Sequence, residues 1–199
     1  MMKQKLWLLL TAAVLGLAAC GGQDQGSSAA PAEAAATAVD LTTAEGLQKA
    51  KDELQALPQF QGKSVQVFQD VTFHLGKYKS IQINLQNPDN PEHVDHYEYK
   101  DGAWSEPVPV QLRGNGDLKD NLTPLEEIDF ALVADLNKIW LEKAQEVGVE
   151  DFDARAIRFD FDMTPRGPQR RWEAMLTTPR ERYDLNFNLD GTVQEFKKQ

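Results

Sequence analysis

The chain of 199 residues contains a single cysteine, Cys20. A disulfide needs two cysteines, and a structural zinc site built on thiolates needs several. The sequence therefore excludes a disulfide within the chain and a zinc site held by cysteines. Cys20 stands between an apolar run and a tract rich in Gly, Gln and Ser, and these neighbours indicate its role.

Catalytic motifs are also scarce. The three histidines all lie in the first half of the chain, and no serine after residue 40 lies in a GxSxG segment. No glycine-rich segment has the P-loop or dinucleotide-binding pattern. Residues 89–98 are the densest group of metal-ligand side chains, but His93 and His96 would point to opposite faces of a strand. We therefore predict an acidic hairpin entry there, and neither an enzyme, a metal site nor a bound cofactor.

Positive charge is in short supply. The chain has 21 Lys and Arg against 31 Asp and Glu, which gives a formal net charge of −10. Because affinity for nucleic acid comes largely from neutralised phosphates, this balance argues against a nucleic-acid partner. It also argues against broad contact with anionic lipid head groups.

Residues 164–199 are the exception to this acidic balance. Their arginines are concentrated in PRGPQRRW and TPRERY, namely Arg166, Arg170, Arg171, Arg180 and Arg182. Arginine binds carboxylate and phosphate through two parallel hydrogen bonds. If the two runs meet at one rim of a sheet, they form a contact for an anionic ligand or an acidic partner surface. The alternative is ordinary solubility charge at loops, which pairs with Glu173, Glu181 and Asp184.

No apolar run is long enough to cross a bilayer, whose core of roughly 30 Å needs about 20 residues of helix. Residues 6–17 form an apolar run of about a dozen residues that follows Lys3 and Lys5, which is typical of a secretory signal. The run ends in LAAC at residues 17–20, which resembles the lipobox of bacterial lipoproteins.

That resemblance implies cleavage before Cys20, a diacylglycerol on its sulfur and an acylated amino terminus. Several acyl chains would hold the protein firmly in a membrane, and no thiol would remain as a nucleophile. Gly21 follows where an inner-membrane retention signal has Asp, so the resemblance implies the outer membrane. We assign residues 1–19 to the signal peptide and residues 20–39 to the lipidated cysteine and a flexible tether. A helix through the alanine run is the alternative for the tether.

Two helices are predicted after the tether. Thr42 and Glu45 have the spacing of a capping box, and Pro58 ends the first helical pattern. Residues 123–126, TPLE, have the same spacing before a second helical pattern, whose early part is alternatively a separate short turn. Gly148 is predicted to end this helix.

Strands with alternating apolar residues follow each helix. A phase shift in residues 64–75 predicts a bulge near Phe68 or two short strands, and Asp101-Gly102 suits a type I′ hairpin turn. Pro107 and Pro109 indicate that the second arm of this hairpin is an edge strand or its irregular continuation. In the second half, Asp160 and Asp162 alternate with apolar residues, so we predict that they lie on the solvent-facing side of a sheet.

A helix, antiparallel strands and a final strand with DGxV resemble the PepSY-like family and the related beta-lactamase-inhibitor-like fold. The residues that carry the likeness are 132–148, 157–161 and 185–193. The resemblance implies an exported protein with protein-binding or inhibitory roles and no enzymatic activity. We therefore expect an α+β fold of two tandem units, residues 40–113 and 122–199, each a helix packed on an antiparallel β-meander.

These observations together predict an outer-membrane lipoprotein that acts as a non-catalytic protein-binding or inhibitory module. The expected partners are the membrane, through the lipid anchor, and a protein of the cell envelope. The alternative is a binder or carrier of a small or anionic envelope ligand that uses the five arginines named above.

Overall fold

The structure is a computed structural model that describes residues 39–114, 116–165 and 167–199. The predicted signal peptide, Cys20 and nearly all of the predicted tether lie outside the described residues. The helices are α1 (Ala44–Gln55) and α2 (Val133–Val147), with short 3-10 helices at Leu118–Asn121 and Leu125–Glu127. The strands are β1 (Gln66–His74), β2 (Ser80–Gln86), β3 (Val94–Lys100), β4 (Ala103–Trp104), β5 (Val108–Pro109), β6 (Leu122–Pro124), β7 (Ala156–Thr164), β8 (Gly167–Thr177), β9 (Arg182–Phe187) and β10 (Val193–Lys198).

The ten strands form one antiparallel sheet, with the order β10-β9-β8-β7-β1-β2-β3-β4. The short strands β5 and β6 lie outside this path and pair with β3 and β1. The centre of the sheet is the pair β1 and β7, where Val71 lies opposite Phe159 and Phe73 lies opposite Ile157. This pairing joins strands that are about 85 residues apart in the sequence.

The prediction of two tandem units, each a helix on its own meander, is wrong. The described residues form one ten-stranded sheet and two α-helices, and the helices contact each other. A single hydrophobic core contains buried residues from both halves of the chain. The physical reason is the pairing of β1 with β7, which we call the seam. It forms main-chain hydrogen bonds along two strand edges that separate units would leave exposed.

One side of the sheet is apolar and is covered by the helices. Strand residues on this side alternate with polar residues, as expected for a sheet with one buried face. The fully buried aromatic side chains include Phe73, Phe159, Trp172 and Phe187, and they share a cluster with Leu47 of α1 and Trp140 of α2. The polar side chains between them consequently point to the opposite side of the sheet.

The helix boundaries differ from the prediction at both N-termini. Thr43, not Thr42, caps α1, and its hydroxyl accepts a hydrogen bond of 3.1 Å from the Gly46 amide. The predicted start of the second helix at Thr123 is also wrong, because Thr123 lies in β6 opposite Val67 and α2 begins at Val133. The alternative, a separate short turn before the helix, agrees with the 3-10 helix at Leu125–Glu127. Gly148 ends α2 in the left-handed conformation, with a φ of 74°, as predicted.

The predicted backbone irregularities are confirmed. The register of β1 against β2 shifts between Val67 and Val71, which contains the bulge expected near Phe68. Asp101 and Gly102 both have positive φ, at 53° and 86°, and connect β3 to β4 as a two-residue turn of the type I′ class. The proline-containing strand β5 lies beside β3 at one end of the sheet, as the edge assignment required.

Candidate functional site

The polar side of the sheet forms a groove opposite the helices, which we call the open face. The groove has a volume of about 920 Å³ and crosses β1, β7, β8, β9 and β10. Its lining includes Thr72, Arg158, Arg171, Glu173, Met175 and Asn186. Each of these residues precedes or follows a core residue of its strand, so the alternation that builds the core also builds this surface.

Four charged residues form a network in the middle of the open face. Arg158 lies opposite Glu173, and Asp160 lies opposite Arg171, on the adjacent strands β7 and β8. Arg158 Nε donates to Glu173 Oε1 at 2.8 Å, and Arg171 Nη2 donates to Asp160 Oδ2 at 2.8 Å. Each arginine also approaches the other acid, at 3.5 Å for Arg158 to Asp160 and 3.3 Å for Arg171 to Glu173. The network therefore holds two positive and two negative charges that are already paired.

Asp160 is the most enclosed member of this network, with a side chain that is 15% exposed. Burial and the nearby Glu173 carboxylate raise the pKa of Asp160, while Arg158 and Arg171 act in the opposite direction. Asp160 therefore lies on the solvent-facing side, as predicted, but it is a partly enclosed member of an ion-pair network. Asp162 is exposed, in agreement with the prediction.

The four described arginines of the predicted rim do not converge on one place. Arg170 and Arg171 lie near the start of β8, whereas Arg182 pairs with Thr177 at the end of that strand. Arg171 and Thr177 are six positions apart along the strand, which corresponds to about 20 Å. Arg180 is exposed in the loop beyond β8, and Arg166 lies outside the described residues.

Arg170 and Arg171 also lie on opposite sides of the sheet, because consecutive strand residues alternate. Arg170 Nη1 donates to Glu127, and its guanidinium lies 5.7 Å from the Phe161 ring centre on the helix side. Arg171 joins the open-face network instead. The sequence therefore predicted Arg171 as a candidate contact, and its ion pair with Glu173 agrees with the alternative of pairing with neighbouring carboxylates. Arg158 was not identified.

A second cavity adjoins the open face and has a volume of about 470 Å³. Its lining includes Trp140, Glu150, Arg155, Met175 and Pro179. Arg155 Nη2 donates to the Leu75 carbonyl, and its guanidinium lies 5.7 Å from the Trp140 ring centre. Arg155 Nε is buried and has no hydrogen-bond partner among the described residues, and burial lowers the Arg155 pKa. The cavity thus places a guanidinium beside apolar side chains and the carboxylates of Glu150 and Asp151.

Several side chains of the histidine-containing segment, residues 89–98, form hydrogen bonds or ion pairs with other side chains of the protein. His96 Nδ1 lies 3.0 Å from Asn84 Oδ1, and Asp95 accepts a hydrogen bond of 2.8 Å from the Asn87 amide group. Asp89 pairs with Lys63 at 2.7 Å. Within the described ranges, no group of three or more His, Cys, Asp or Glu side chains has an arrangement suited to a metal ion.

Comparisons with known proteins give no relative. No protein-family model, curated protein or solved structure matches this chain. Among the residues that the structure describes, no helix is both long enough and apolar enough to cross a membrane. The likenesses to lipoproteins and to the PepSY-like family consequently stay predictions from the sequence.

Proposed function

We propose that this chain is an outer-membrane lipoprotein that binds a protein partner on its open face and catalyses no reaction. The anchor rests on Lys3, Lys5, the apolar run and LAAC at residues 17–20. The observation that supports the binding role is the groove of about 920 Å³ across five strands, which contains Met175 with 49% of its surface exposed. Exposed methionine among arginines is typical of protein interfaces.

The charge network favours a protein partner over a free anion at the same place. Both arginines of the open face already have carboxylate partners, so a small anion would have to displace Asp160 or Glu173. A protein surface can instead complement both signs of charge while it covers Met175. Prearranged side chains lose little conformational entropy on binding, which increases affinity. This network is therefore suited to a partner of mixed charge and intermediate polarity.

The cavity beside Trp140 supports an alternative function, the binding or transport of a small anionic ligand. Its volume of about 470 Å³ is within the range of small-molecule sites. A carboxylate or phosphate group can pair with the Arg155 guanidinium, which lines the cavity, while Trp140 and Pro179 contact an apolar part of the ligand. Glu150 and Asp151 line the same cavity, so the anionic group must lie on the Arg155 side of it. This site differs from the arginine set predicted from the sequence, because none of those five residues contributes to its described lining.

One experiment tests both functions in cells that express the full chain. A photo-crosslinking amino acid replaces Gln169, an exposed residue that lines the groove. The wild-type background is compared with Met175→Glu and with the matched control Met163→Glu, whose methionine is 45% exposed on the helix side. Small molecules extracted with the wild-type protein and with Arg155→Gln are identified by mass spectrometry. A Cys20→Ser version reports whether membrane attachment needs Cys20.

We expect one crosslinked protein in the wild-type and Met163→Glu backgrounds and at least a tenfold smaller yield in Met175→Glu, since a new charge opposes an apolar contact by roughly 1–3 kcal/mol. Equal yields in the two methionine variants would refute a partner on the open face. A co-extracted small molecule that is lost in Arg155→Gln, without any crosslinked protein, would support the alternative function. Membrane attachment that persists in Cys20→Ser would refute the lipid anchor.

A further inference from the structure

The two ends of the sheet differ in how they expose their main chain. At one end, β4 and β5 have two residues each, and Pro109 of β5 has no amide hydrogen to donate. Short strands and prolines are common means of preventing edge-to-edge association. At the other end, β10 has six residues and no proline, and it pairs with β9 alone among the described strands. The β10 end is therefore the one able to accept another strand.

Hydrogen bonding shows which residues of β10 direct their main chain outwards. The Gln199 amide donates to the Arg182 carbonyl at 2.9 Å, which turns the main chain of Gln199 towards β9. In an antiparallel ladder the main-chain groups of successive residues point to alternate sides. Lys197 and Glu195 consequently face β9, and the main-chain groups of Phe196 and Lys198 face outwards.

We propose that β10 pairs with β10 of a second copy of this chain in antiparallel orientation, centred on Phe196. A two-fold axis perpendicular to the sheet places residues of the same face opposite each other, so the axis must pass through a residue position. Centring on Phe196 sets Glu195 opposite Lys197 of the second copy, and the symmetry gives this pair twice. The two Phe196 residues then exchange both of their outward main-chain hydrogen bonds.

Neighbouring registers are disfavoured by charge. Centring on Glu195 would place the two Glu195 side chains opposite each other, and centring on Lys197 would do the same with lysines. Like charges that lie directly opposite each other destabilise a strand pair, whereas opposite charges stabilise it. Lysine on a strand edge usually discourages association, but in the Phe196 register each Lys197 meets a glutamate.

The side chains around Phe196 are compatible with this pairing. Its ring stacks on Tyr183 with centres 5.4 Å apart, and Lys143 Nζ lies 5.0 Å from the Phe196 ring centre. Phe196 is half-buried in the single chain, so a second copy can cover the remaining exposed part. The same axis places both open faces on one side of a continuous sheet, which allows a bivalent partner to bind both copies.

Cysteine crosslinking tests the register with the full chain. Two differently tagged copies, one with Glu195→Cys and the other with Lys197→Cys, are expressed together in bacterial cells and analysed without reduction. We expect a crosslinked band that contains both tags, because opposite residues in an antiparallel pair bring their Cα atoms to about 4.5–5.5 Å. Wild-type copies give the background from Cys20. No mixed band above that background, or a stronger band from two Glu195→Cys copies, would overturn the proposal.

Charge reversal provides the second test, read as co-precipitation of one tagged copy with the other. Lys197 is exposed, so Lys197→Glu changes the pair interface without removing a core contact. The substitution sets a second glutamate opposite each Glu195 of the dimer, and we expect about tenfold less co-precipitation from these two repulsions. The double variant Glu195→Lys/Lys197→Glu restores opposite charges and should restore co-precipitation. Unchanged recovery with Lys197→Glu, or a double variant no better than the single one, would refute this register.

Discussion

At the scale of single residues, Gly76 fixes how the chain enters the second half of the sheet. It follows Leu75, whose amide donates to the Arg155 carbonyl at 2.9 Å. A Cβ atom on Gly76 would lie 2.0 Å from the Asp153 carbonyl oxygen, which is far inside van der Waals contact. Glycine is thus required because the main chain before β7 passes directly over it. The same contact helps to position Arg155 in its cavity.

We predict that Gly76→Ala lowers the free energy of unfolding by about 1–3 kcal/mol, the usual range for an overpacked site. Gly116→Ala is the matched control, because no atom lies within 4 Å of a Cβ atom at that position. The control should change stability by about 0.5 kcal/mol or less. Urea unfolding followed by circular dichroism measures both values. Equal effects would show that the Asp153 main chain does not restrict residue 76.

Only some of the charged residues in the candidate site could be predicted from the sequence. The alternation of Asp160 and Asp162 with apolar residues indicates one polar face, and this was predicted, whereas Arg158 on the same face was not identified. The charged partners on β8, Glu173 and Arg171, depend on the register of β8 against β7, which the sequence does not specify. Opposite charges at alternate positions of two neighbouring strands are the signal that could have identified the network. Arg155 had no such signal, since its neighbours Trp140 and Leu75 are distant in the sequence.

At the scale of elements, the first helix tests the capping assignment. The Gly46 amide donates to the Thr43 hydroxyl, while Thr42 contacts only the exposed Asp40 carboxylate in the described hydrogen bonds of its side chain. We predict that Thr43→Ala lowers the free energy of unfolding by about 1 kcal/mol, as is typical for an N-cap. Thr42→Ala should lower it by less than about half of that amount. Thermal unfolding of the two variants compares them, and the reverse order would restore the capping box predicted at Thr42.

Local sequence signals predicted most helices and strands correctly. The predictions were wrong where tertiary contacts determine the structure of a segment. Alternation identified β2 and β7, and the positive φ that glycine permits identified the Asp101-Gly102 turn and the end of α2 at Gly148. The capping-box spacing at Thr123 misled because this residue pairs with Val67 in β6. A strand of three residues has too short an alternation to outweigh a helix signal in the sequence. β6 forms because it pairs with residues 66–68 of β1, a part of that strand that β7 does not reach.

At the scale of the whole molecule, the seam between β1 and β7 decides the architecture. Meanders can be recognised from short turns, but nothing local tells which edge of one meander meets which edge of another. Here the seam places Phe73 against Phe130 and Trp172, with ring centres 4.9 and 5.9 Å apart. The core therefore spans both halves of the chain, which accounts for the error in the predicted tandem units.

A continuous core predicts that both halves unfold together. The slowest amides of β2 and of β9 should report the same free energy of opening in hydrogen exchange, because neither meander retains a complete core when the other unfolds. Phe73→Ala should lower both values by about 3–5 kcal/mol, the usual effect of removing a buried aromatic ring. Met163→Ala, at a position that is 45% exposed, should leave both nearly unchanged. If Phe73→Ala lowered the value in β2 while the value in β9 persisted, the seam would join two independently stable units, and the two halves would not share one folding transition.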